Sequence, residues 1–413
     1  MPNFSIPLSG LTAESTALST IANNLANQNT TGYKTKVVLF SDLFYQNLGT
    51  SGSGDPLQLG AGTQVGSTPS MFTQGSVSST GVSTDVAIQG AGFFVVQDAS
   101  GVISYTRAGD FSELNNYLVT PSGQQVLGYP ADANGKIDTG TGIGPLQLGA
   151  GTISPPTATT NVRLTTNLDA RTTPTDTPFS TPITVRDSLG APHVLNFTFT
   201  NTGAGQWSYA VSIPAGDLGA AGAVQNGTGT LQFDNRGNLT VPAAGNNPNI
   251  TITGLADGAA DLPFTWQLYD NGVGLLTQVA ASSGTNSADA DGTGSGSLTK
   301  FTIGSDGIIL GSFDNGKTQA LGQVALASFA NNDGLQLEGN TDFSPTLASG
   351  QAVLGAPNAG GRGTLSGGAL ELSNVDIATE FASLIVAQRG YEADAKAVTT
   401  FDQITQDTIA LKQ

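Results

Sequence analysis

Residues 377 to 391 read Ile377-Ala378-Thr379-Glu380-Phe381-Ala382-Ser383-Leu384-Ile385-Val386-Ala387-Gln388-Arg389-Gly390-Tyr391, with Ile377, Phe381, Leu384 and Tyr391 at helical spacing. The row runs on through Val398 to Ile409 without a proline, which predicts one long amphipathic helix. About 35 residues at about 1.5 Å each span roughly 50 Å, more than a small domain covers by itself. The other end of the chain carries a matching row, Phe4, Leu8, Leu11, Leu18, Ile21 and Leu25. Two such seams need partners, so the ends are expected to pack on each other and on copies in neighbouring subunits.

Working inward from the first seam, the chain reads Ala22-Asn23-Asn24-Leu25-Ala26-Asn27-Gln28-Asn29-Thr30-Thr31-Gly32-Tyr33-Lys34. Further on come Phe72-Thr73-Gln74-Gly75-Ser76, Asp85-Val86-Ala87-Ile88-Gln89-Gly90-Ala91-Gly92-Phe93-Phe94-Val95-Val96 and Tyr105-Thr106-Arg107-Ala108-Gly109-Asp110-Phe111. Leu372-Ser373-Asn374-Val375-Asp376 and Ile385 to Tyr391 follow near the end. Taken together and in this order, these segments resemble the rod and hook axial proteins of bacterial flagella. Family members usually carry a larger residue at Gly390, and an interior helical Gly costs about 1 kcal/mol relative to Ala. Rod members lack a large inserted β domain, whereas Arg186-Asp187-Ser188-Leu189-Gly190-Ala191-Pro192-His193 resembles a strand and turn of the hook branch.

Composition excludes several function classes. The chain has 413 residues, 55 of them Gly, and 38% are apolar, a turn-rich β composition. A net charge of -17 with only 14 basic residues argues against nucleic acid or an anionic membrane as partner. Cysteine is absent, which removes disulfides, thiolate chemistry and Cys-ligated zinc. No run of 18 apolar residues occurs, and Met1-Pro2-Asn3-Phe4 opens neither a basic nor an apolar stretch. The resemblance implies export through the flagellum's own type III apparatus without a cleaved signal peptide, to an extracellular position in the flagellar hook.

Between the ends the apolar period changes to two, as in half-buried strands. Trp207, Tyr209, Val211 and Ile213 alternate with polar or small residues, as do Leu195, Phe197, Phe199 and Phe264, Trp266, Leu268. Asn134-Gly135, Asn271-Gly272 and Asn315-Gly316 are hairpin signals of the type I′ kind. Gly49 to Pro56 and Gly355 to Gly368 read as flexible joints. Two polar stretches, Thr152 to Asn161 and Ser282 to Ser297, bracket an inserted domain whose ends should lie close together. Pro56-Leu57-Gln58-Leu59-Gly60-Ala61-Gly62-Thr63 recurs as Pro145 to Thr152, too short to signal a solenoid.

The expected fold is multidomain α+β, with a terminal coiled-coil domain formed by both ends and mainly-β middle domains. Residues 1–30 form its N-terminal helix, 31–65 a connecting segment, 66–158 and 298–360 a discontinuous inner β domain, 159–297 an inserted outer β domain with flanking linkers, and 361–413 a connector and the long helix.

Four stretches carry candidate chemistry. Gly311-Ser312-Phe313-Asp314-Asn315-Gly316-Lys317-Thr318 satisfies the P-loop pattern, but Asn315-Gly316 and the later Gly322 favour a hairpin over the helix that phosphate binding needs. Asp289-Ala290-Asp291-Gly292 resembles the start of a calcium loop without the later acidic ligand, and reads as a solvated linker. His193, the only histidine, reads as a strand-edge side chain with no nucleophile elbow to serve. The row Trp207, Tyr209, Trp266 reads as sheet core rather than a carbohydrate platform.

No catalytic, cofactor or metal residues are therefore assigned. The assembly residues are Leu8, Leu11, Leu18, Ile21, Leu25, Ile377, Phe381, Leu384, Tyr391, Val398 and Ile409. The resemblance implies a self-assembling subunit of a curved helical tube, a universal joint carrying torque from rod to filament. Its implied partners are further copies of itself, the distal rod protein, the hook-filament junction protein, the hook cap protein and the export apparatus. Another axial protein such as the distal rod subunit is the alternative, and a secreted β-rich adhesin a more distant one.

Overall fold

The computed structural model describes residues 5–44, 46–51, 54–148 and 153–411. Phe4, Gly52, Ser53 and the last four residues of the second octapeptide copy lie outside them. The chain divides into two units. One comprises 1–150, 300–311 and 319–413, the other 151–299 and 312–318.

The first unit holds two helices, α1 (Ser5–Ala26) and α2 (Ile377–Ala410). Pro7 sits in the opening turn of α1, where a missing N–H breaks no helical bond. The motif residue Asp376 caps α2, its Oδ1 accepting from Ala378 N at 2.8 Å and Thr379 N at 3.0 Å. Among the described residues, no helix is long and apolar enough to cross a membrane.

The β part of this unit is built on the strands Phe93–Gln97, Ile103–Thr106 and Gln125–Pro130, which pair side by side. Phe93 anchors the core, with Phe72, Phe329 and Phe343 at ring-centroid distances of 5.5, 5.7 and 5.6 Å. Gly32, in the N-terminal motif, has φ +67, and a Cβ there would meet Ala108 N at 2.6 Å and Arg107 C at 2.7 Å. Both the backbone conformation and the close approach to another backbone require glycine.

The second unit is a β-sandwich. One sheet runs Phe179–Arg186, Pro192–Gly203, Gln206–Ser212, Thr228–Phe233, Leu239–Val241, all antiparallel. The other runs Leu218–Gln225, Asn249–Leu255, Leu262–Gln267, Asn161–Asp169, Leu276–Val279, with Gly284–Ala290 also on Asn161–Asp169. Trp266 of the second sheet meets Phe197 and Tyr209 of the first, each at 5.0 Å between centroids. Every alternating aromatic and aliphatic residue expected to face inward is buried, apart from half-buried Ile213. Burying one such side chain contributes about 1.5–3 kcal/mol.

Four expectations are corrected. Gly49, Thr50 and Pro56 lie in paired strands, Gln46–Thr50 on Pro56–Leu59, so the flexible-joint reading does not hold at those residues, while Gly52 and Ser53 lie outside the described residues. Gly355 to Gly368 is tied down too: Val353–Gly355, Thr364–Gly367 and Ala369–Glu371 each pair with another strand. Glycine permits those turns; backbone hydrogen bonds on both sides prevent a loose joint. The polar stretch Ser282 to Ser297 contains the strand Gly284–Ala290, because sheet pairing uses the backbone and an outer strand can carry polar side chains. Of the three Asn-Gly pairs only Asn271-Gly272 has both φ angles positive. At the other two, Gly135 N reaches Asp132 O and Gly316 N reaches Phe313 O, with glycine alone left-handed, the geometry of a longer loop closed by a glycine bulge.

The ends of the second unit's long segment meet. Thr157 and Thr293 exchange backbone hydrogen bonds at 2.9 Å each, and the Asp291 carboxylate accepts from Thr160 N at 2.7 Å and Asn161 N at 2.9 Å.

Candidate assembly surface

Helices α1 and α2 pack on each other through small residues. Gly10, Ala13 and Ala17 are the buried positions of α1's middle, and Ala387 that of α2. A Cβ on Gly10 would collide with the Asp394 carboxylate, and one on Gly390 would lie 2.9 Å from Glu14 Oε1. The missing side chain at 390 is therefore filled by the partner helix. Close approach through small residues leaves the larger ones beside the contact.

The eleven stripe residues divide accordingly. Leu11, Leu18, Ile21, Leu25, Leu384 and Val398 are half-buried, while Leu8, Ile377, Phe381, Tyr391 and Ile409 are exposed. Ile385 and Val386, outside the reading from spacing, are exposed as well, Val386 at 71%. Beside them a groove of about 440 Å³ runs between the helices and the segment Lys36 to Phe40, lined by Ala17, Ile21, Val38, Phe40 and Val386. Isolated apolar residues on a surface need no explanation; a row along a 34-residue helix next to an apolar groove does.

The base of the helix pair is fixed by polar residues that spacing alone could not find. Asn24 is fully buried: its Nδ2 donates to Lys36 O at 2.8 Å and Glu380 Oε1 at 3.2 Å, and its Oδ1 accepts from Lys36 N at 3.0 Å and Tyr33 OH at 3.1 Å. Burial, then the Glu380 charge, raise the Tyr33 phenol above its ordinary value. Below this lies Glu371, wholly buried, with Lys34 Nζ at 2.6 Å from Oε1, Gly75 N at 2.9 Å from the same oxygen, and Arg107 Nε at 3.3 Å from Oε2. Burial and the neighbouring Arg107 lower the Lys34 ammonium, against the opposing pull of Glu371. Asn374 adds Oδ1 as acceptor to Thr35 N at 2.7 Å. The motifs around Asn24, Tyr33, Lys34, Arg107 and Asn374 are thus one network joining the two chain ends. The signal in the sequence was a polar residue on each apolar helix face, Asn24 and Glu380.

Glu14 faces Asp394 across the helix pair. Burial first, and then Asp394, hold the Glu14 carboxyl above its ordinary 4.5. A raised acid favours the packed state when protonated, so this contribution is fully present below about pH 4.5 and is lost as pH rises through the raised value. With the intrinsic exchange rate at each pH divided out, the helix pair is expected to show greater amide protection at about pH 4 than at about pH 7, and Glu14→Gln to reduce that difference. An unchanged pH response in the variant would rule Glu14 out as the source.

The enzymatic leads resolve otherwise. Gly311 to Thr318 is a strand and turn running into the strand Thr318–Val324, so no helix begins at Lys317; its Nζ contacts Thr157 Oγ1. Asp289 and Asp291 are exposed, as the solvated reading has it, but the stretch is no linker: Asp289 and Ala290 belong to the strand Gly284–Ala290, and Asp291 is occupied in the clamp on Thr160 and Asn161. Trp207, Tyr209 and Trp266 are core. His193 stands at the start of strand Pro192–Gly203, as expected, but it is buried between loops of both sheets, with Asp187, Asp217 and Asp257 around it. Burial lowers its affinity for a proton, but the bonds and charges of Asp187 and Asp217 outweigh this and raise it.

Four family models match the chain: flagella basal body rod protein at 6–34, the flagellar hook protein FlgE/F/G D1 domain at 87–167, the flagellar basal body protein FlaE D2 domain at 159–293 and the flagellar basal body rod FlgEFG protein C-terminal region at 366–411. The flagellar hook protein FlgE of Escherichia coli strain K12 is 35% identical over 431 aligned residues, covering 99% of this chain and 100% of that protein. That of Borreliella burgdorferi is 33% identical, covering 98% of each. Among solved structures, the Helicobacter pylori flagellar hook protein FlgE2 aligns with 71% of this chain and 100% of its own, at 15% identity and a TM-score of 0.45.

Proposed function

Because the chain belongs to the flagellar hook protein family, a structural subunit of the flagellar hook and not an enzyme, we propose that it polymerises through its terminal helices into a curved tube. In this reading α1 and α2 are a preassembled pair whose exposed rows continue as coiled-coil contacts with neighbouring subunits around a central channel. A head-to-tail contact that does not close gives an open helical polymer. The tube lies outside the cell, passes torque from rod to filament, and is exported without a cleaved signal peptide. It meets the distal rod protein at one end and the hook-filament junction protein at the other, with the hook cap protein present during growth.

The observation that carries this is the row Ile377, Phe381 and Ile385, spaced four apart and left in solvent on a helix already paired within its own chain. Electron microscopy of the purified full chain under assembling conditions tests it. Curved tubes are expected; protein that stays monomeric at high concentration would refute it. Deleting residues 160–290, whose ends are held together by Thr157 and Thr293, is expected to leave tubes that are straighter. Loss of all tubes would instead place the main polymer contact in the sandwich.

A further inference from the structure

The turn Asp187-Ser188-Leu189-Gly190 carries the chain from strand Phe179–Arg186 into Pro192–Gly203, and Gly190 closes it at φ +86. Asp187 Oδ1 accepts from Leu189 N at 2.8 Å and Ala191 N at 2.9 Å, which fixes the carboxylate and leaves Oδ2 facing His193 Nε2 at 3.0 Å. Two loops arrive from the facing sheet. Asp217 precedes strand Leu218–Gln225, and Asp257 follows strand Asn249–Leu255. Ala260 N donates to Ser188 Oγ at 3.1 Å and Ala256 N to Asp217 O at 3.0 Å, so the three loops are tied together.

At their centre the His193 side chain is 7% exposed. Its Nε2 is 3.0 Å from Asp187 Oδ2 and 3.6 Å from Asp257 Oδ2; its Nδ1 is 3.5 Å from Asp217 Oδ2 and buried without a hydrogen bond.

Charge makes this arrangement incomplete. Three carboxylates surround one imidazole, so the group carries net negative charge even with the ring protonated, and Asp187 is wholly buried. Among the described residues, no Lys or Arg is ion-paired with Asp187, Asp217 or Asp257. Carboxylates brought together in this way are relieved by a shared proton or by a positive species between them.

The spacing suits a metal ion. Ligand atoms at about 2.0–2.2 Å from a tetrahedral centre lie about 3.3–3.6 Å apart. The ligating oxygens of Asp187 and Asp257 and a ring nitrogen of His193 all lie within 4.8 Å of one another, within reach of small side-chain adjustments. With Nε2 toward the ion, the other ring nitrogen faces a carboxylate, Asp217, which is the arrangement that fixes the tautomer of a metal-bound histidine. Asp257, 31% exposed, leaves a way in.

We propose that Asp187, His193 and Asp257 form a divalent metal site suited to Zn²⁺, with Asp217 orienting His193, and that the ion staples the ends of the two sheets. Binding displaces any proton from Nε2, leaves Nδ1–H directed at Asp217, and so strengthens as pH rises through the imidazole range.

Calorimetric titration of the chelator-stripped full chain with Zn²⁺ alone tests this, together with the thermal midpoint of the sandwich. One ion per chain and a raised midpoint are expected. Asp257→Asn, on an exposed loop, should abolish saturable binding without unfolding the protein. Asp217→Asn should keep the stoichiometry and weaken affinity by about 10–100-fold. Should His193→Gln fail to fold, the Asp257 variant decides. No saturable zinc binding near neutral pH, or equal binding by the Asp257→Asn chain, would overturn the site and leave a protonated imidazolium among three carboxylates.

Discussion

A Phe381→Asp chain is expected to stay folded but to form no tubes at concentrations where the parent chain polymerises fully. Phe381 is 51% exposed, one helical turn from Ile377 on one side and from Ile385 on the other, both exposed on the same face of α2. In the isolated subunit a carboxylate there can keep its water, so the monomer's unfolding midpoint should move little. In the polymer the same carboxylate enters an apolar contact unpaired, at a cost of several kcal/mol. Even about 3 kcal/mol raises the critical concentration more than a hundredfold, and the cost recurs at every subunit. Leu18→Asp and Leu384→Asp should also block assembly, but both residues are half-buried within the chain, so those variants weaken the α1 and α2 pair as well. Phe381 separates assembly from folding. Tubes of ordinary length and stability from the Phe381→Asp chain would show that this row is not the polymer seam.

Glu371→Ala is expected to lower the stability of the first unit by about 3–5 kcal/mol, the cost of removing one partner from a buried ionic group. Lys34 and Arg107 converge on that carboxylate from separate motifs, and all three side chains are nearly or wholly inaccessible. Without it two cations face each other in a dry site, and Lys34 should shed its proton more readily still. Glu371→Gln is expected to cost less, because Gly75 N and Lys34 Nζ keep an oxygen acceptor. Denaturant unfolding followed at the helix signal measures both. A loss under about 1 kcal/mol for Glu371→Ala would mean the site is more hydrated than its burial implies.

Both predictions depend on residues that differ in how they can be recognised. Phe381 is legible in the sequence because helical periodicity needs only spacing, and the same holds for the inward-facing strand residues Phe197, Tyr209 and Trp266. Glu371 is not legible. It is one acid among 31 Asp and Glu, and what distinguishes it is that Lys34 and Arg107, 337 and 264 positions away by subtraction of their numbers, are brought to it by the fold. Asn24 and Glu380 stood on apolar stripes as polar exceptions, a signal that marks a buried bond but does not name the partner. The cluster around His193 is of the same kind: Asp187 and His193 are close in sequence, while Asp217 and Asp257 reach it from the other sheet.

Helices at both ends, strands of period two between them and hairpin turns at glycine follow from local stereochemistry and apolar spacing, so the sequence by itself determined them. It also determined the family, through motifs at both ends and the long middle insertion. Which polar residues are buried together, which apolar rows stay in solvent and whether glycine-rich stretches hold or swing were decided by tertiary contacts alone. The octapeptide shows the division within one sequence. At Pro56 it forms a hairpin strand whose Leu57 and Leu59 are 48% and 42% exposed. At Pro145 the same four residues, Pro-Leu-Gln-Leu, pair first with Gln125–Pro130 and then with Asn116 to Leu118, and bury Leu146 and Leu148 to 0% and 1%. Identical local preferences fix the backbone's options in both copies, but burial depends on what arrives across from them, and that comes from distant parts of the chain.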